Sequence, residues 1–314
     1  MRIRIKTPSR LHITLIDLNG EIGRLDGGIG LALEKPNIEI TASDSDNPER
    51  IPEPFNKYAE RLKKAFGKEI SLEILSTYRN HVGLGSGTQS ALAVAEAFKK
   101  LYGLDLSLYE LASLVGRGGT SGIGIHAFKY GGFILDGGHS KKVKKDFLPS
   151  SASKAPPPPL LARYDFPDWD VVVVIPELTG SYGAGEVNLF QKYCPISINE
   201  VRMLSHIILM KVLPSIVEKD LDSFAEGISR IQRIGFKRVE IEQYGNLIWD
   251  VMGSVSGCAV GMSSTGPTVY AITDSNANSV KRDLISAFRE KNVECESLVT
   301  KANNSGFEEE WLER

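Results

Sequence analysis

Seven consecutive residues, Gly83-Leu84-Gly85-Ser86-Gly87-Thr88-Gln89, have the composition of an anion cradle. Glycine tolerates backbone angles that turn successive N–H groups toward one point. Ser86 and Thr88 add hydroxyl donors. The apolar stripe Ala91, Leu92, Ala95, Phe98 and Tyr102 predicts a following helix, stopped near Gly103, whose positive end faces the same point. Gly83, Gly85, Ser86, Gly87, Thr88 and Gln89 are therefore candidates to hold a pyrophosphate or triphosphate. The Gly-Lys-Ser/Thr ending of a Walker loop is missing. An ordinary glycine-rich turn before a helix is the competing reading.

Two further clusters have similar chemistry. Gly116-Arg117-Gly118-Gly119-Thr120-Ser121-Gly122 offers Arg117 as a phosphate ligand, with Thr120 and Ser121 as hydroxyl donors. Gly261-Met262-Ser263-Ser264-Thr265-Gly266-Pro267-Thr268 offers Ser264 and Thr265 between two predicted strands. Each alone reads as a structural turn; three such turns together favour a binding cleft. Asp136 and His139 flank Gly137-Gly138 after a strand, where hairpin-turn duty is the favoured reading. Arg230, Arg233, Lys237 and Arg238 read as a solvated helix face. His81 and His126 are weaker candidates, and His206 sits in an apolar helix where core packing is expected.

The elements that must position these residues are legible as periodicities. Strands are predicted at 2–6, 11–16, 29–34, 37–43, 70–77 and 133–135, with turns at Asn19-Gly20 and Asp26-Gly27-Gly28. A helix is predicted at 54–66. Another spans 107–115, opened by Ser107 with Glu110 three residues on, which is a capping-box pattern. Pro149 to Pro159 includes four consecutive prolines and cannot continue a helix or a sheet interior. That segment places a linker at 151–159 between an N-terminal part, 1–150, and a C-terminal part, 160–314. Beyond it we expect strands at 160–164 and 170–175, then helices at 185–192, 198–213, 220–234 and 240–253. A strand–turn–strand at 257–273, a helix at 277–291 and a strand at 293–299 follow. Glu308-Glu309-Glu310 reads as a solvated acidic end.

The bulk composition excludes several classes. The 314 residues suffice for one large or two modest domains. With 37 basic and 39 acidic side chains, the net charge of −2 gives no basic excess for nucleic acid. No apolar run reaches membrane-spanning length, and Arg2 to Lys6 alternates rather than forming a signal segment. Three scattered cysteines, Cys194, Cys258 and Cys295, form neither a zinc motif nor a disulfide framework. The expectation is a soluble cytoplasmic enzyme.

The order of motifs resembles the GHMP kinase superfamily. It runs Pro8-Ser9-Arg10-Leu11-His12, Asp26-Gly27-Gly28, GLGSGTQSA, GGTSGIG with YGG, and GMSSTGPTVYAI. The resemblance covers roughly residues 3 to 300. It implies a two-domain α/β (α+β) fold with the active site in the cleft between domains. The segment resembling Thr120-Ser121-Gly122-Ile123 continues in many of these kinases with an aspartate that activates the accepting hydroxyl. Gly124 stands there, and Gly87-Thr88-Gln89 replaces the usual Ser-Ser-Ala. A glycine cannot polarise a hydroxyl, which weakens the reading as an ATP-dependent small-molecule kinase, although phosphoryl transfer leans mostly on positioning.

TPSRLHITLIDLNGEIGRLDGGIGLALEKP, GLGSGTQSALAVA and GRGGTSGIG with GGFILDGGHS look more specifically like the archaeal β-ribofuranosylaminobenzene 5′-phosphate synthases of methanopterin biosynthesis. That resemblance implies a magnesium-dependent reaction of phosphoribosyl pyrophosphate with 4-aminobenzoate or 4-hydroxybenzoate, releasing CO2 and pyrophosphate. It also suggests a homodimer. A kinase-type base is not needed, and Gly124 is then no anomaly. Within this frame Arg10 and Arg24 are candidates for the benzoate carboxylate or the 5′-phosphate. His12 is a candidate donor to phosphate or ring. Asp26 and Asp17 are candidates to bind magnesium or stabilise positive charge at ribose C1, Asp26 being preferred. Surface ion pairing, a core histidine and plain turn chemistry are their respective alternatives. A non-catalytic sensor that kept the cleft is the third functional reading.

Overall fold

The computed structural model describes residues 1–44, 50–150, 152–178, 180 and 183–313. The first sheet begins with two long antiparallel strands, β1 (Arg2–Asp17) and β2 (Arg24–Asp44). The four short strands expected at 2–43 are thus halves of two. Their register slips between Thr7 and Ser9, where Pro8 has no N–H to give the ladder, opposite the Pro36 region. β3 (Ile70–Ser76), β4 (Phe133–Asp136) and β5 (His139–Ser140) pair with β2, and β6 (Leu160–Tyr164) pairs with β4. A second sheet is made of β7 (Asp170–Pro176), β8 (Ala259–Met262), β9 (Val269–Thr273) and β10 (Cys295–Thr300), in the order β10-β7-β9-β8. The last strand, β11 (Glu308–Glu313), returns to the outer edge of β1. The expected solvated acidic end is therefore a strand. Strands on both sides of the proline-rich segment share the first sheet.

Three helices cover one face of that sheet: α1 (Phe55–Phe66), α2 (Ser86–Leu101) and α3 (Leu108–Leu114). Ile3, Ile5, Ile38 and Ile40 meet Tyr58, Leu62, Leu92 and Phe98 there. The predicted capping box of Ser107 and Glu110 is present on α3. α4 (Ile123–Tyr130) packs beside α2 against β1 and β2.

The C-terminal helices are α5 (Ala184–Tyr193), α6 (Ile198–Ile207), α7 (Leu213–Glu218), α8 (Leu221–Gln232), α9 (Gly235–Glu242), α10 (Leu247–Met252) and α11 (Ala277–Glu290). A π-helical turn, Ile208–Val212, joins α6 to α7 inside the helix expected at 198–213. The helix expected at 240–253 is two, separated near Gly245, whose φ is +59°. His206 is exposed on α6, not packed in the core.

The two sheets share a core. Leu11, Ile13, Leu31 and Phe133 of the first meet Val171, Val173 and Tyr270 of the second, with Phe224 of α8 between them. Full burial of each such side chain is worth about 1.5–3 kcal/mol relative to exposure. Val172 and Val174 point the other way, toward Ile248 and Phe288. β7 is buried on both faces, which explains its uninterrupted Val-Val-Val-Val-Ile run. This shared core fixes β1 against the second sheet and so aligns the glycine turns from both.

Candidate active site

A cavity of about 260 Å³ opens where all three glycine clusters converge. Its walls come from β1, the first turn of α1, the start of α2, the 117–124 segment, α5, α9 and the turn between β8 and β9.

The first cluster enters α2 through Gly85, at φ +84°, which supplies no capping side chain. The leading amides of the helix are left facing the cavity, where Ser86, Gly87 and Thr88 line its wall. Gly83 is needed for close approach: at φ +95°, a Cβ would lie 2.3 Å from the Ser263 carbonyl oxygen. The Gly83 carbonyl accepts from Ser263 Oγ at 2.7 Å and from the Arg10 guanidinium. Thr268 Oγ1 donates to Val82 O at 2.6 Å, and the Ser264 amide to His12 O at 2.8 Å. The third cluster is thus a clamp that ties the first to β1. Ser264 and Thr265 line the cavity itself.

The second cluster supplies the opposite lip. The Arg117 guanidinium lies over the Tyr58 ring at 5.3 Å and donates to the Tyr58 hydroxyl, which in turn donates to Gly87 O at 3.0 Å. A Cβ at Gly87 would come within 2.9 Å of Arg117 Nη2, so glycine makes room for the guanidinium. Lys57 and His81, neither singled out as a phosphate ligand from sequence, stand on the same wall. This side of the cavity combines helix amides, hydroxyls and cations, as a polyphosphate requires.

Beneath the cavity, Ser121 joins two buried groups. Its Oγ lies 3.1 Å from His12 Nε2 and 3.3 Å from Asp136 Oδ2. Asp136 also accepts from the amides of Gly122 and Gly138, both at 2.9 Å. The favoured hairpin-turn role of Asp136 is therefore only half of what it does. Burial raises its carboxyl to about 7, against the pull of those amides. Burial, then the charges of Arg10 and Lys237, holds His12 well below the ordinary histidine range, so it is neutral. Thr120 donates to Leu148 O at 2.5 Å and accepts from Lys144 at 3.0 Å.

The remaining predicted residues lie elsewhere. Asp26, fully buried, accepts from Lys144 Nζ at 2.9 and 3.1 Å and lies 2.6 Å from His139 Nδ1. Asp17 accepts from the amides of Asn19 and Gly20 in the turn after β1. Arg24 is exposed and donates to the carbonyls of Gly137 and Gly138. Neither these three nor Gln89 line the cavity. Gln89 donates to Gly124 O at 2.8 Å and so joins two of the clusters. The carboxylates that do line it are Glu186 of α5 and Glu240 of α9. Lys237, expected on a solvated face, is fully buried and pairs with Glu240 at 2.5 Å. Arg230, Arg233 and Arg238 are surface residues, as expected. Burial lowers Arg10 to about 10 despite the nearby carboxylates of Glu186 and Glu240.

Residues 54–132 match the family model of the GHMP kinases N terminal domain. Along nearly its full length the chain is similar to proteins named beta-ribofuranosylphenol 5′-phosphate synthase. It is 55% identical to that of Archaeoglobus fulgidus over 98% of this chain and 99% of the relative. It is 45% identical to that of Methanocaldococcus jannaschii over 96% of this chain and 98% of the relative. Its fold is similar to the phosphomevalonate kinase of Streptococcus pneumoniae (TM-score 0.69, 13% identity, 95% of this chain and 99% of the other). A homoserine kinase from Cytophaga hutchinsonii is also similar (TM-score 0.65, 15% identity, 98% and 97%).

Proposed function

The chain belongs to the family of the β-ribofuranosylphenol 5′-phosphate synthases, and from that premise we propose that it joins 4-hydroxybenzoate to phosphoribosyl pyrophosphate, releasing CO2 and pyrophosphate. The name those relatives carry favours the hydroxy acid over 4-aminobenzoate, since the product is then a phenol. One observation of the site carries the choice over phosphoryl transfer. Beside the polyphosphate side of the cavity, where a kinase of this fold would place its aspartate, stands Gly124, with Thr88 packed against it.

The chemistry asked of the protein is charge stabilisation at a departing pyrophosphate. The α2 amides, Ser86, Thr88 and Arg117 suit that anion. Breakage of the ribose C1–O bond leaves an oxocarbenium-like carbon, and the ring carbon bearing the carboxylate attacks it. Loss of CO2 then restores aromaticity. Magnesium, in this reading, would arrive with the pyrophosphate and neutralise its charge. The described residues bring no three His, Cys, Asp or Glu side chains together as a ready metal site. Asp26 is committed to Lys144 and His139, and Asp17 to backbone amides. No step is assigned to a protein-held metal.

The test is thermal protection followed by product analysis. Phosphoribosyl pyrophosphate with magnesium should raise the melting temperature, and addition of 4-hydroxybenzoate should release CO2. Protection by ATP alone, with phosphorylation of a small alcohol, would return the chain to the kinase reading. Protection by ATP without any turnover would point to a sensor.

A further inference from the structure

The cavity wall also carries groups that a polyphosphate cannot use. Glu186 and Glu240 line it near Arg10 and present carboxylates, which would repel phosphate. Phe190 lies one turn after Glu186 on α5, and both line the cavity with Leu15 of β1. An acid group flanked by two apolar side chains suits a flat ring bearing a hydroxyl.

The two carboxylates are not equivalent. Glu240 is clamped by the buried Lys237 ammonium at 2.5 Å. That ammonium also donates to Ser264 O at 2.9 Å and Met262 O at 3.3 Å, so it is fixed by the turn between β8 and β9. Glu186 has no ion-pair or hydrogen-bond partner among the described residues and is half-buried at the cavity wall.

We propose that Glu186 is the general base that accepts the proton of the aromatic substrate's 4-hydroxyl, with Glu240 and Lys237 as positioning residues. The proposal rests on the ribosyl-transfer reading above. The ring carbon that must attack lies para to that hydroxyl, and ionising the hydroxyl is what makes the carbon nucleophilic. The hydroxyl proton moves to the Glu186 carboxylate. The phenolate's electrons push through the ring, and the para carbon bonds ribose C1 as the C1–O bond to pyrophosphate breaks. The quaternary carbon then sheds its carboxylate as CO2, and that electron pair returns to the ring. The phenolate oxygen finally recovers its proton from Glu186. No net proton, oxidant or reductant is consumed.

The surroundings fit the role. Burial first, and the Glu240 charge second, raise the Glu186 carboxyl to about 7, while Arg10 opposes them. A base poised near neutrality can take a proton from a phenol and give it back. Among the described residues, the charged groups that act on Glu186 are Arg10 from β1 and Glu240 from α9, the latter paired with Lys237.

The test compares the native enzyme with Glu186→Gln, following CO2 release from 4-hydroxybenzoate between about pH 5.5 and 9. The native rate should rise through about pH 7 to a plateau. The variant should lose about 100-fold near neutrality and keep climbing with pH, because only pre-ionised phenol then reacts. A ring-difluorinated 4-hydroxybenzoate, more acidic at its hydroxyl, should recover most of that loss. Glu186→Asp should keep the native pH profile. Protection by phosphoribosyl pyrophosphate should be unchanged in both variants. A loss equal at every pH, no recovery with the fluorinated acid, or recovery by excess magnesium would overturn the proposal. A native enzyme inactive toward 4-hydroxybenzoate would instead overturn the reading on which it rests.

Discussion

At Gly124, two departures from the kinase pattern turn out to be one arrangement. A Cβ there would meet the Thr88 methyl at 3.1 Å, a contact that obliges Thr88 to give way. Gln89 meanwhile donates to the Gly124 carbonyl. Thr88 and the glycine therefore fit each other, and Gln89 ties the two segments together. Gly124→Asp should cost about 1–3 kcal/mol through overpacking and lower ribosyl transfer without creating ATP phosphotransfer. Adding Thr88→Ala should recover most of the lost stability, because the methyl is what stands in the way. A double-mutant cycle of melting curves measures this; purely additive effects would sink the coupling. The departures at 87–89 and 124 could be read from sequence, but not that they touch. Glu186, Glu240 and Lys237 could not be read at all. In sequence Lys237 lies within a basic run, and only the packing of α9 against the cavity turns it and Glu240 inward.

Elements place the anion side through their ends rather than their middles. α2 begins at a left-handed glycine, Gly85, two residues after Gly83, whose carbonyl is held by two donors from different parts of the chain. Gly83→Ala introduces a Cβ 2.3 Å from the Ser263 carbonyl at positive φ. It should cost at least about 1–3 kcal/mol and weaken protection by phosphoribosyl pyrophosphate, because the turn must open to admit the methyl. Ser107→Ala is the control. It removes an exposed cap from α3, outside the cavity, and should cost about 1 kcal/mol with no change in turnover. Equal effects of the two on binding would mean that the turn is merely structural. The cap was legible because its chemistry is local, written in Ser107 and Glu110 alone. The length of β1 and β2 was not. The expected strand ranges leave out Pro8 and Pro36, whereas the observed strands continue past both by shifting register.

At the scale of the whole molecule, the sequence order of elements conveys the mixed α/β class but not which strands share a sheet. Pairing between distant segments depends on contacts that no local period encodes. The clearest case is β11. Its run Glu308-Glu309-Glu310 has the composition of a solvated end, yet it lies along the outer edge of β1, whose Arg4 and Lys6 pair with Glu310 and Glu308. Lys100 of α2 reaches Glu309 at 2.8 Å, and Trp311 packs against the helix-covered core. These exposed ion pairs are individually weak and screened by salt. The larger effect of β11 is to cover an edge that would otherwise present free backbone groups. Truncation after Phe307 should therefore lower the melting temperature and promote self-association, measured by sedimentation at increasing protein concentration. Added salt should weaken the full-length chain only slightly, since edge coverage and Trp311 burial are not electrostatic. A truncated chain that stays dispersed and melts like the native one would show that β1 tolerates an open edge and that the acidic strand is dispensable.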